Sequence, residues 1–591
     1  MHQLRSLLPL LKPYRWGIVA GLTLVVLANV FAVIWPTILG RTVDALGRPD
    51  VTMGRIWLYA GGLVAITALA GLGRYGMRQI LNAISRRVET DLRDIFFAHL
   101  LKLDAQFYSG MRTGDLMSRA TSDIGAVRMA IGPAVMYLVN TLTSTVLTIG
   151  FMAAINVRLM LYALIPLLLI PPVVIISGRL IHERFERIQN HLGVLSTMVQ
   201  ENLNGVRIVR AYGQERSQER EFDELNRTYL RKNMEMTRVS AVFHPLLTAL
   251  TSLGMLTVLW VGGLDAIAGR ISNGDFVAFG FYVAMLAWPV IALGWVTNLF
   301  QRGAASMGRI NAILRTEPAI RSPEAPVVLE RVGGEIEFRN VQFRYPGSDR
   351  LVLDNISFRV PAGSTVAIVG PTGAGKSTIV SLITRRYDPS AGVVLLDGVP
   401  LQELSLEQLR GELGVVMQDA FLFSETIAEN IGMGLPSGAL TERRVADAAA
   451  VAQFDATIRE LPHGYQTRLG ERGVNLSGGQ RQRATLARAI ARDPRILILD
   501  DALSAVDTHT ETQILHNLRR VLENRTAIII SHRVSAVMNA DHILVLDEGR
   551  IVEQGPHEQL IEAGGLYASL LRRQLLAEDL EHENETSEAS S

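Results

Sequence analysis

The stretch TVAIVGPTGAGKSTIVSLITRRY, residues 365–387, decides the fold of the C-terminal half of the chain. A short apolar run, TVAIV, leads into the glycine-rich loop GPTGAGKST at residues 370–378, and a helical pattern follows. The loop fits G-x-x-x-x-G-K-[ST], and a strand before it with a helix after it is the setting in which this pattern binds nucleotide phosphates. Backbone N–H groups turn toward an anion there, and the helix dipole adds to the attraction. We therefore predict an α/β nucleotide-binding domain.

Each position of this loop is a candidate phosphate contact. Lys376 is expected to reach the β- and γ-phosphates of the nucleotide, and the Ser377 hydroxyl to bind Mg²⁺. The alternative, a glycine loop that only turns the chain, is disfavoured by the strand and helix on either side. The residues assigned to phosphate binding are Gly370, Pro371, Thr372, Gly373, Ala374, Gly375, Lys376, Ser377 and Thr378.

In a second stretch, ILILDDALSAVD at residues 496–507, the apolar run ILIL is followed directly by two carboxylates, Asp500 and Asp501. Asp500 is the predicted second Mg²⁺ contact, through water, although an aspartate at this point could instead cap a helix. Asp501 stands where such a hydrolase places its general base, which is usually a glutamate. Asp is shorter by one C–C bond, and a misplacement of about 1 Å can cost on the order of 100-fold in rate. We expect this site to bind Mg-ATP well and to hydrolyse it slowly.

The N-terminal half has a different composition. Hydrophobic residues make up 48% of the chain and the mean hydropathy is +0.23. Six apolar stretches each exceed the roughly 20 residues needed to cross a bilayer, and buried helices of a soluble protein rarely show this length. The six stretches are residues 16–40, 56–81, 129–155, 159–181, 242–268 and 276–300.

The connections between these stretches predict the topology. Long polar segments follow the second and fourth stretches, and the second of these segments is rich in arginine, which favours the cytoplasm. Both segments show helical periodicity, so the membrane helices are expected to continue well beyond the bilayer. Both chain termini and the nucleotide-binding domain then lie in the cytoplasm.

Composition excludes several function classes. The chain has no cysteine, which rules out disulfides, zinc–thiolate sites and thiol catalysis. The net charge of +1 gives no general attraction to nucleic acid, and no nucleic-acid partner is expected. The predicted domains are a transmembrane domain at residues 1–313, a linker at 314–334, the nucleotide-binding domain at 335–575 and an acidic, disordered tail at 576–591.

Between the two nucleotide motifs lies LSGGQRQR, residues 476–483, which resembles the signature of the ATP-binding-cassette (ABC) family. The resemblance implies that Ser477, Gly478, Gly479 and Gln480 clamp the γ-phosphate of an ATP held by the opposite cassette. Other motifs are similar to family elements in the same order. They imply that Tyr345 stacks on adenine, that Gln418 contacts Mg²⁺ and water, and that His532 senses the γ-phosphate.

The membrane half is similar to that of ABC exporters of the six-helix, domain-swapped type, called type IV. Residues 104–124 and 201–215 resemble their two coupling regions. The fold implied is a polytopic α-helical membrane domain with long cytoplasmic extensions, fused to an α/β P-loop ATPase domain. One chain supplies six helices and one cassette, so the resemblance implies a half-transporter that dimerises in the lipid bilayer and uses ATP and Mg²⁺.

The substrate follows less directly. A mostly apolar lining suits hydrophobic or amphipathic drugs, lipids or peptides, because a small hydrophilic solute would leave polar groups unpaired. Arg74, Arg78 and Asp265 are the charged residues of interest within the stretches, but helix packing is favoured over substrate contact for each of them, and Arg74 or Arg78 could also reach the membrane interface. Export from the bacterial cytoplasmic (inner) membrane is the leading hypothesis. An importer on the same fold, a soluble ABC ATPase and an ATP-gated channel or regulator are the alternatives.

Asp501 also bears on the partner subunit. In heterodimeric exporters of this family, the subunit with a weak base commonly pairs with one that has the glutamate and an eroded signature. The signature of this chain is intact, so the resemblance implies a heterodimer in which its own phosphate loop forms the slow site. An active homodimer, made possible by a backbone shift at Asp501, and a base provided by another group remain open.

Overall fold

A computed structural model describes residues 2–48, 52–435, 441–531, 533 and 537–576, with the side chains of residues 244 and 290 left aside. Contacts divide the chain into two compact units. Unit 1 is Met1–Leu101 with Arg112–Thr316, and unit 2 is Lys102–Met111 with Glu317–Ser591. The predicted acidic tail lies outside the described residues, apart from Leu576.

Unit 1 contains six long apolar helices, which we call membrane helices 1 to 6. Within the described part of the chain, six helices have the length and composition needed to cross a membrane. In order, they span His2–Leu46, Met53–Leu100, Thr113–Ile155, Val157–Asn204, Glu215–Ile267 and Asn273–Leu314. The six predicted apolar stretches are confirmed, and so are the helical extensions beyond them.

Several of these helices are built from shorter segments. Membrane helix 4 is interrupted after Leu167 and resumes at Ile170, where the following prolines have no N–H to donate to the preceding turn. The segments of membrane helix 1 are His2–Leu7 (3₁₀), Leu8–Leu11, Lys12–Tyr14 (3₁₀) and Arg15–Leu46. Those of membrane helix 3 are Thr113–Ser118, Arg119–Asp123 (π), Ile124–Met129, Ala130–Ala134 (π) and Val135–Ile155. Those of membrane helices 4 and 5 are Val157–Leu167, Ile170–Asn204, Glu215–Thr257, Val258–Gly262 (π) and Gly263–Ile267.

Small residues let these helices approach closely. A Cβ added at Gly21 would lie 2.6 Å from Leu81 Cδ2, so membrane helix 2 packs directly on the backbone of membrane helix 1. A Cβ at Gly274 would lie 2.0 Å from the Gly40 carbonyl oxygen, which fixes the outer end of membrane helix 6 against membrane helix 1. Glycine is favoured at such crossings because lipid gives no hydrophobic force between helices and close packing has to replace it.

The two predicted coupling regions contain short helices. Ala105–Gly110 begins at Asp104, whose Oδ1 accepts a hydrogen bond from the Phe107 N–H at 3.1 Å. The other carboxylate oxygen of Asp104 accepts from the Ala319 N–H at 2.6 Å, within unit 2. Val206–Ala211 lies between membrane helices 4 and 5.

Unit 2 contains two β-sheets that place the nucleotide motifs. The ten strands among its described residues are β1 Ile336–Phe343, β2 Leu353–Val360, β3 Thr365–Val369, β4 Ala391–Leu396, β5 Val399–Pro400, β6 Leu413–Val416, β7 Ile496–Asp500, β8 Thr526–Ile530, β9 His542–Asp547 and β10 Arg550–Gly555. An antiparallel sheet has the order β2-β1-β4-β5, and a second sheet has the order β10-β9-β3-β8-β7-β6. In the second sheet, β9, β3, β8, β7 and β6 are parallel, and β10 is antiparallel to β9.

This sheet order explains why two distant motifs meet. β8 lies between β3 and β7, so the carboxyl ends of all three parallel strands are at one edge of the sheet. Loops at the carboxyl ends of parallel strands form the binding crevice of α/β proteins. The phosphate loop after β3 and Asp500 at the end of β7 therefore face the same space.

The helices of unit 2 cover these sheets. Those with at least eight described residues are Lys376–Ile383, Glu442–Val451, Gly478–Ala491, Thr508–Leu522 and residues 566–576. Shorter helices are Leu406–Gly411, Ile427–Gly432, Asp455–Glu460 and His557–Glu562, with 3₁₀ turns at Leu401–Glu403, Gly464–Gln466 and Glu471–Gly473. The sequence predicts strands at the β-rich runs EIEFRNVQF, TVAIVG, GVVLLDG, RILILD, TAIIISH and HILVLDEG, and these runs form β1, β3, β4, β7, β8 and β9. β2, β5, β6 and β10 were not among those runs.

Candidate nucleotide-binding and hydrolysis site

The phosphate loop has a backbone that only glycine allows at two points. Gly370 has φ +152°, and a Cβ there would lie 2.1 Å from the Leu546 carbonyl oxygen. Gly375 has φ +102°, and a Cβ there would lie 2.7 Å from Leu353 Cδ2. Glycine adopts this conformation without a steric penalty and leaves room for the neighbouring strands. The loop can therefore present its N–H groups at the start of the helix Lys376–Ile383.

Lys376 is held inside this loop. Its side chain is buried, and its Nζ donates to the carbonyl oxygens of Gly370 at 2.7 Å and Pro371 at 2.8 Å. Burial lowers the pKa of the Lys376 ammonium, and the nearby carboxylates of Asp500 and Asp501 partly offset that effect. A desolvated ammonium gains most from an incoming anion, as a phosphate-binding group requires.

Ser377 and Asp500 meet as predicted for a metal site. The Ser377 hydroxyl donates to Asp500 Oδ1 at 3.2 Å, and the Asp500 carboxylate is buried. Among the described residues, no group of three or more His, Cys, Asp or Glu side chains is placed to hold a metal ion. One carboxylate and one hydroxyl suit Mg²⁺, which is commonly bound through a carboxylate, phosphate oxygens and water. The donor set therefore fits a magnesium ion delivered with a nucleotide.

A cavity of about 300 Å³ joins most of the predicted nucleotide contacts. Its lining includes Tyr345, whose hydroxyl hydrogen-bonds Thr378 Oγ1 at 3.0 Å and whose ring meets Tyr387 edge-on. Gln418 also lines the cavity, with both carboxylates at the end of β7. Gly370, Pro371 and Ala374 are not in the lining, although Gly370 and Pro371 accept hydrogen bonds from Lys376.

Asp501 has a constrained backbone. Its φ is +50°, a region that non-glycine residues seldom adopt, although Asp tolerates it better than most. Its N–H donates to the Ile530 carbonyl oxygen at 2.8 Å, and its own carbonyl oxygen accepts from the Ser504 hydroxyl at 3.0 Å. The backbone is therefore held on both sides of the Cα, and a movement that lengthened the reach of the carboxylate would break these bonds.

Gln482 is a functional candidate that the sequence analysis did not assign. This buried amide lies in the helix Gly478–Ala491, and its Oε1 accepts from the Ala505 N–H at 2.9 Å. Its Nε2 donates to the Ser504 hydroxyl at 2.9 Å and to the Asp501 carbonyl oxygen at 3.4 Å. A glutamine buried in a helix has to find partners, and that rule is the signal that could have identified it. The signature helix thus holds the loop that follows the two carboxylates.

The signature residues lie at a second cavity. Ser477 caps the helix Gly478–Ala491: its hydroxyl accepts from the Gln480 N–H at 3.2 Å, and its own N–H donates to Gln480 Oε1 at 2.9 Å. Gly478, Gln482 and Gln418 line this cavity, whose volume is about 750 Å³. No residue of the signature lines the phosphate-loop cavity. Within one chain, therefore, the described structure does not bring the signature to the phosphate loop.

His532 lies outside the described residues, but its neighbour Arg533 is described. The Arg533 guanidinium donates to the carbonyl oxygens of Val506 at 3.1 Å and Ser504 at 3.2 Å, and it forms an ion pair with the buried Glu511. The segment after β8 is therefore tied to the same loop that Gln482 holds.

Two family models match the chain. Residues 18–290 match the ABC transporter transmembrane region, and residues 353–504 match the ABC transporter model. The first covers most of the six membrane helices, and the second contains the phosphate loop, the signature and both carboxylates at the end of β7.

Curated relatives match along nearly the whole chain. The "Probable multidrug resistance ABC transporter ATP-binding/permease protein YheI" of Bacillus subtilis is 38% identical over 568 residues, which cover 96% of either chain. The multidrug resistance-like ATP-binding protein MdlA of Escherichia coli is 37% identical over 571 residues, again 96% of both. A solved bacterial Atm1-family ABC exporter with ATP bound has a TM-score of 0.78 and 30% identity, and the match covers 95% of this chain and 99% of that one.

Proposed function

Because this chain belongs to the ABC transporter family, we propose that it uses ATP hydrolysis to export hydrophobic or amphipathic compounds across a bacterial cytoplasmic membrane. The observation that carries the proposal is the contact of Ser377 with Asp500 beside the buried Lys376, in a chain that also has six membrane helices. The relatives named for multidrug resistance and the solved exporter favour export over import.

In this proposal, each residue of the site has a separate role. Lys376 and the loop N–H groups hold the phosphates, and Tyr345 supports the adenine. Ser377, Asp500 and Gln418 would hold Mg²⁺, which supplies positive charge against the leaving phosphate. Asp501 accepts the proton of the attacking water, for which its carboxylate has to come within hydrogen-bond reach of that water.

We propose in addition that the working unit is a dimer in which two cassettes face each other. The separation of Ser477–Gln480 from the phosphate-loop cavity supports this arrangement, because a signature that serves its own chain would line its own site. Each phosphate loop would then be completed by the signature of the other subunit. ATP can drive transport only through its different affinity for the open and closed states of this dimer.

The partner is proposed to be a second, different half-transporter. The Asp501 backbone is held by Ile530 and Ser504, so a shift that would make up for the shorter side chain is disfavoured. The site formed by Lys376, Asp500 and Asp501 is then the slow one, and the intact signature of this chain completes the fast site on the partner. An active homodimer remains the competing arrangement.

Transport direction is tested in sealed inside-out membrane vesicles. The expected result is ATP-dependent accumulation of a fluorescent amphipathic dye inside the vesicles, abolished by Lys376→Ala. Lys232→Ala is the matched control, because it removes a lysine of unit 1, outside the unit that contains the phosphate loop. Accumulation only in right-side-out vesicles supplied with internal ATP would favour import instead.

The pairing is tested by purifying the chain alone and together with whatever half-transporter co-purifies from its own membrane. The chain alone is expected to bind ATP and to hydrolyse it at least about tenfold more slowly than the complex, because its base is short. A homodimer with ATPase activity equal to that of the complex would contradict the heterodimer.

A further inference from the structure

A cavity of about 320 Å³ lies among membrane helices 1, 2, 3 and 6, and two arginines line it. We propose that this cavity binds the anionic group of an amphipathic compound, with Arg74 and Arg78 as the anion contacts. The inference rests on the proposed export function and names the substrate class for it.

The depth of Arg74 is fixed by packing. A Cβ added at the preceding Gly73 would lie 3.0 Å from Ala28 Cβ, and Ala28 is the central residue of the first apolar stretch. Arg78 follows one helical turn, or about 6 Å, closer to the cytoplasmic end. Arg74 is therefore level with Ala28 and inside the apolar stretches of both helices, where a charged side chain is costly and marks a functional site by default.

No carboxylate in the described part of the chain pairs with these arginines. Among the described residues, neither Arg74 nor Arg78 makes an ion pair or hydrogen bond, and both side chains are exposed. The six apolar stretches contain one carboxylate, Asp265, and its Oδ1 already pairs with Arg270 at 2.6 Å.

The remaining lining suits the other half of an amphipathic molecule. Met77, Met136, Met285 and Trp288 supply apolar and polarizable surface, and Trp288 is 64% exposed. Methionine adapts its shape to different ligands, as a site for varied apolar groups requires. Tyr137 also lines the cavity, and its ring is held edge-on by Trp295 at a centroid distance of 5.0 Å.

Asn29 and Asn140 fix the polar side of the cavity. The Asn29 Nδ2 donates to the Asn140 carbonyl oxygen at 3.1 Å and to the Thr143 hydroxyl at 2.6 Å, so membrane helices 1 and 3 are joined at this level. Asn29 is buried, and its donors are directed to membrane helix 3. The two guanidiniums are therefore the charged donors left for a ligand, and guanidinium geometry matches phosphate, sulfonate and carboxylate oxygens bidentately.

The test measures binding without ATP, on the full chain in phosphatidylcholine nanodiscs. Radiolabelled dodecyl phosphate is compared with dodecylphosphocholine, which has the same alkyl chain and a phosphate but no net charge, and binding to empty nanodiscs is subtracted. Dodecyl phosphate is expected to bind at least about tenfold more tightly, because both guanidiniums can pair with it. Equal affinities would overturn the proposal.

Variants assign the preference to the cavity. Arg74→Gln/Arg78→Gln should abolish the preference for dodecyl phosphate. Arg41→Gln, which removes an exposed arginine near the C-terminal end of membrane helix 1, should keep it. Arg74→Lys/Arg78→Lys keeps the charge and should retain part of the preference. A preference that survives in the glutamine variant would overturn the proposal, as would competition by inorganic phosphate at equal concentration.

The transport test in inside-out vesicles, combined with the binding test in nanodiscs, separates this inference from the export function. Charge-selective binding without ATP-dependent accumulation of any amphipathic compound would support the cavity and contradict export. Accumulation of an uncharged or cationic dye, with no charge-selective binding, would support export and overturn the anion site.

Discussion

The phosphate loop and the membrane cavity are both built around cations, but they differ in what surrounds those cations. Lys376 is buried, donates to two carbonyl oxygens of its own loop and has the carboxylates of Asp500 and Asp501 nearby. Arg74 and Arg78 lie among apolar helices, and no described residue pairs with either of them. The difference indicates that the loop is preorganised for one defined anion, whereas the cavity depends on its ligand for neutralisation.

The largest effect is expected at the preorganised site. In the chain purified alone, Lys376→Ala should lower ATPase activity by at least about 100-fold, because it removes a charge aimed at the transferred phosphate. The measurement is phosphate release by the chain purified alone, with Lys232→Ala as control. Residual activity within about tenfold of the wild type would mean that Lys376 is not essential for hydrolysis. The phosphate loop would then not be preorganised around this lysine.

The membrane cavity can be tested by reversing its charge. Arg74→Glu/Arg78→Glu should reverse the ligand preference by about tenfold, toward dodecyltrimethylammonium and away from dodecyl phosphate, because the glutamates would attract the cation. Binding to nanodiscs without ATP gives the measurement, and basal ATPase activity serves as a control for folding. An unchanged preference would show that the arginines do not face the ligand.

Gln482 connects the signature helix to the hydrolysis site, and its removal should give a smaller effect. Gln482→Leu removes three hydrogen bonds at about 1 kcal/mol each and leaves the Ala505 N–H without its acceptor. In the chain purified alone, ATPase activity should fall about fivefold to tenfold with ATP affinity unchanged, because the loop after Asp501 would be less well positioned.

Gln482→Glu provides the matched variant. It keeps the acceptor for the Ala505 N–H and loses the donors, so its activity should lie between those of the wild type and Gln482→Leu. If ATP affinity, activity and melting temperature fell together in both variants, the role of Gln482 would be structural rather than one of positioning.

The smallest effect in the native complex is expected for Asp501→Glu. Less than a twofold rise in ATPase activity should follow, because the partner site sets the rate in the proposed heterodimer. In the chain purified alone, the same substitution should raise activity severalfold, since both sites of such a dimer would gain the longer base. A severalfold rise in the native complex would instead favour two equivalent sites.

Much of this molecule could be predicted from local patterns. The phosphate loop, the strand ending at Asp500 and the capped signature helix each depend on neighbouring residues, and each has the predicted local structure. The six membrane helices follow from length and hydropathy, because a bilayer-spanning segment must satisfy its backbone hydrogen bonds within itself. β6 was missed because its short apolar run LGVV is not distinguishable by periodicity from other buried segments, whereas the alternation of apolar and polar residues in ISFRV could have identified β2.

By itself, the sequence determined the class of protein and the chemistry of the phosphate site, because both depend on contiguous motifs. Only the tertiary structure decided three other matters. It joined Gln482 to the loop after Asp501, separated the signature from the phosphate loop of its own chain, and placed Arg74 level with Ala28. The physical reason is that these relations join residues far apart in the chain, through helix crossings and strand order that hydropathy and spacing do not encode.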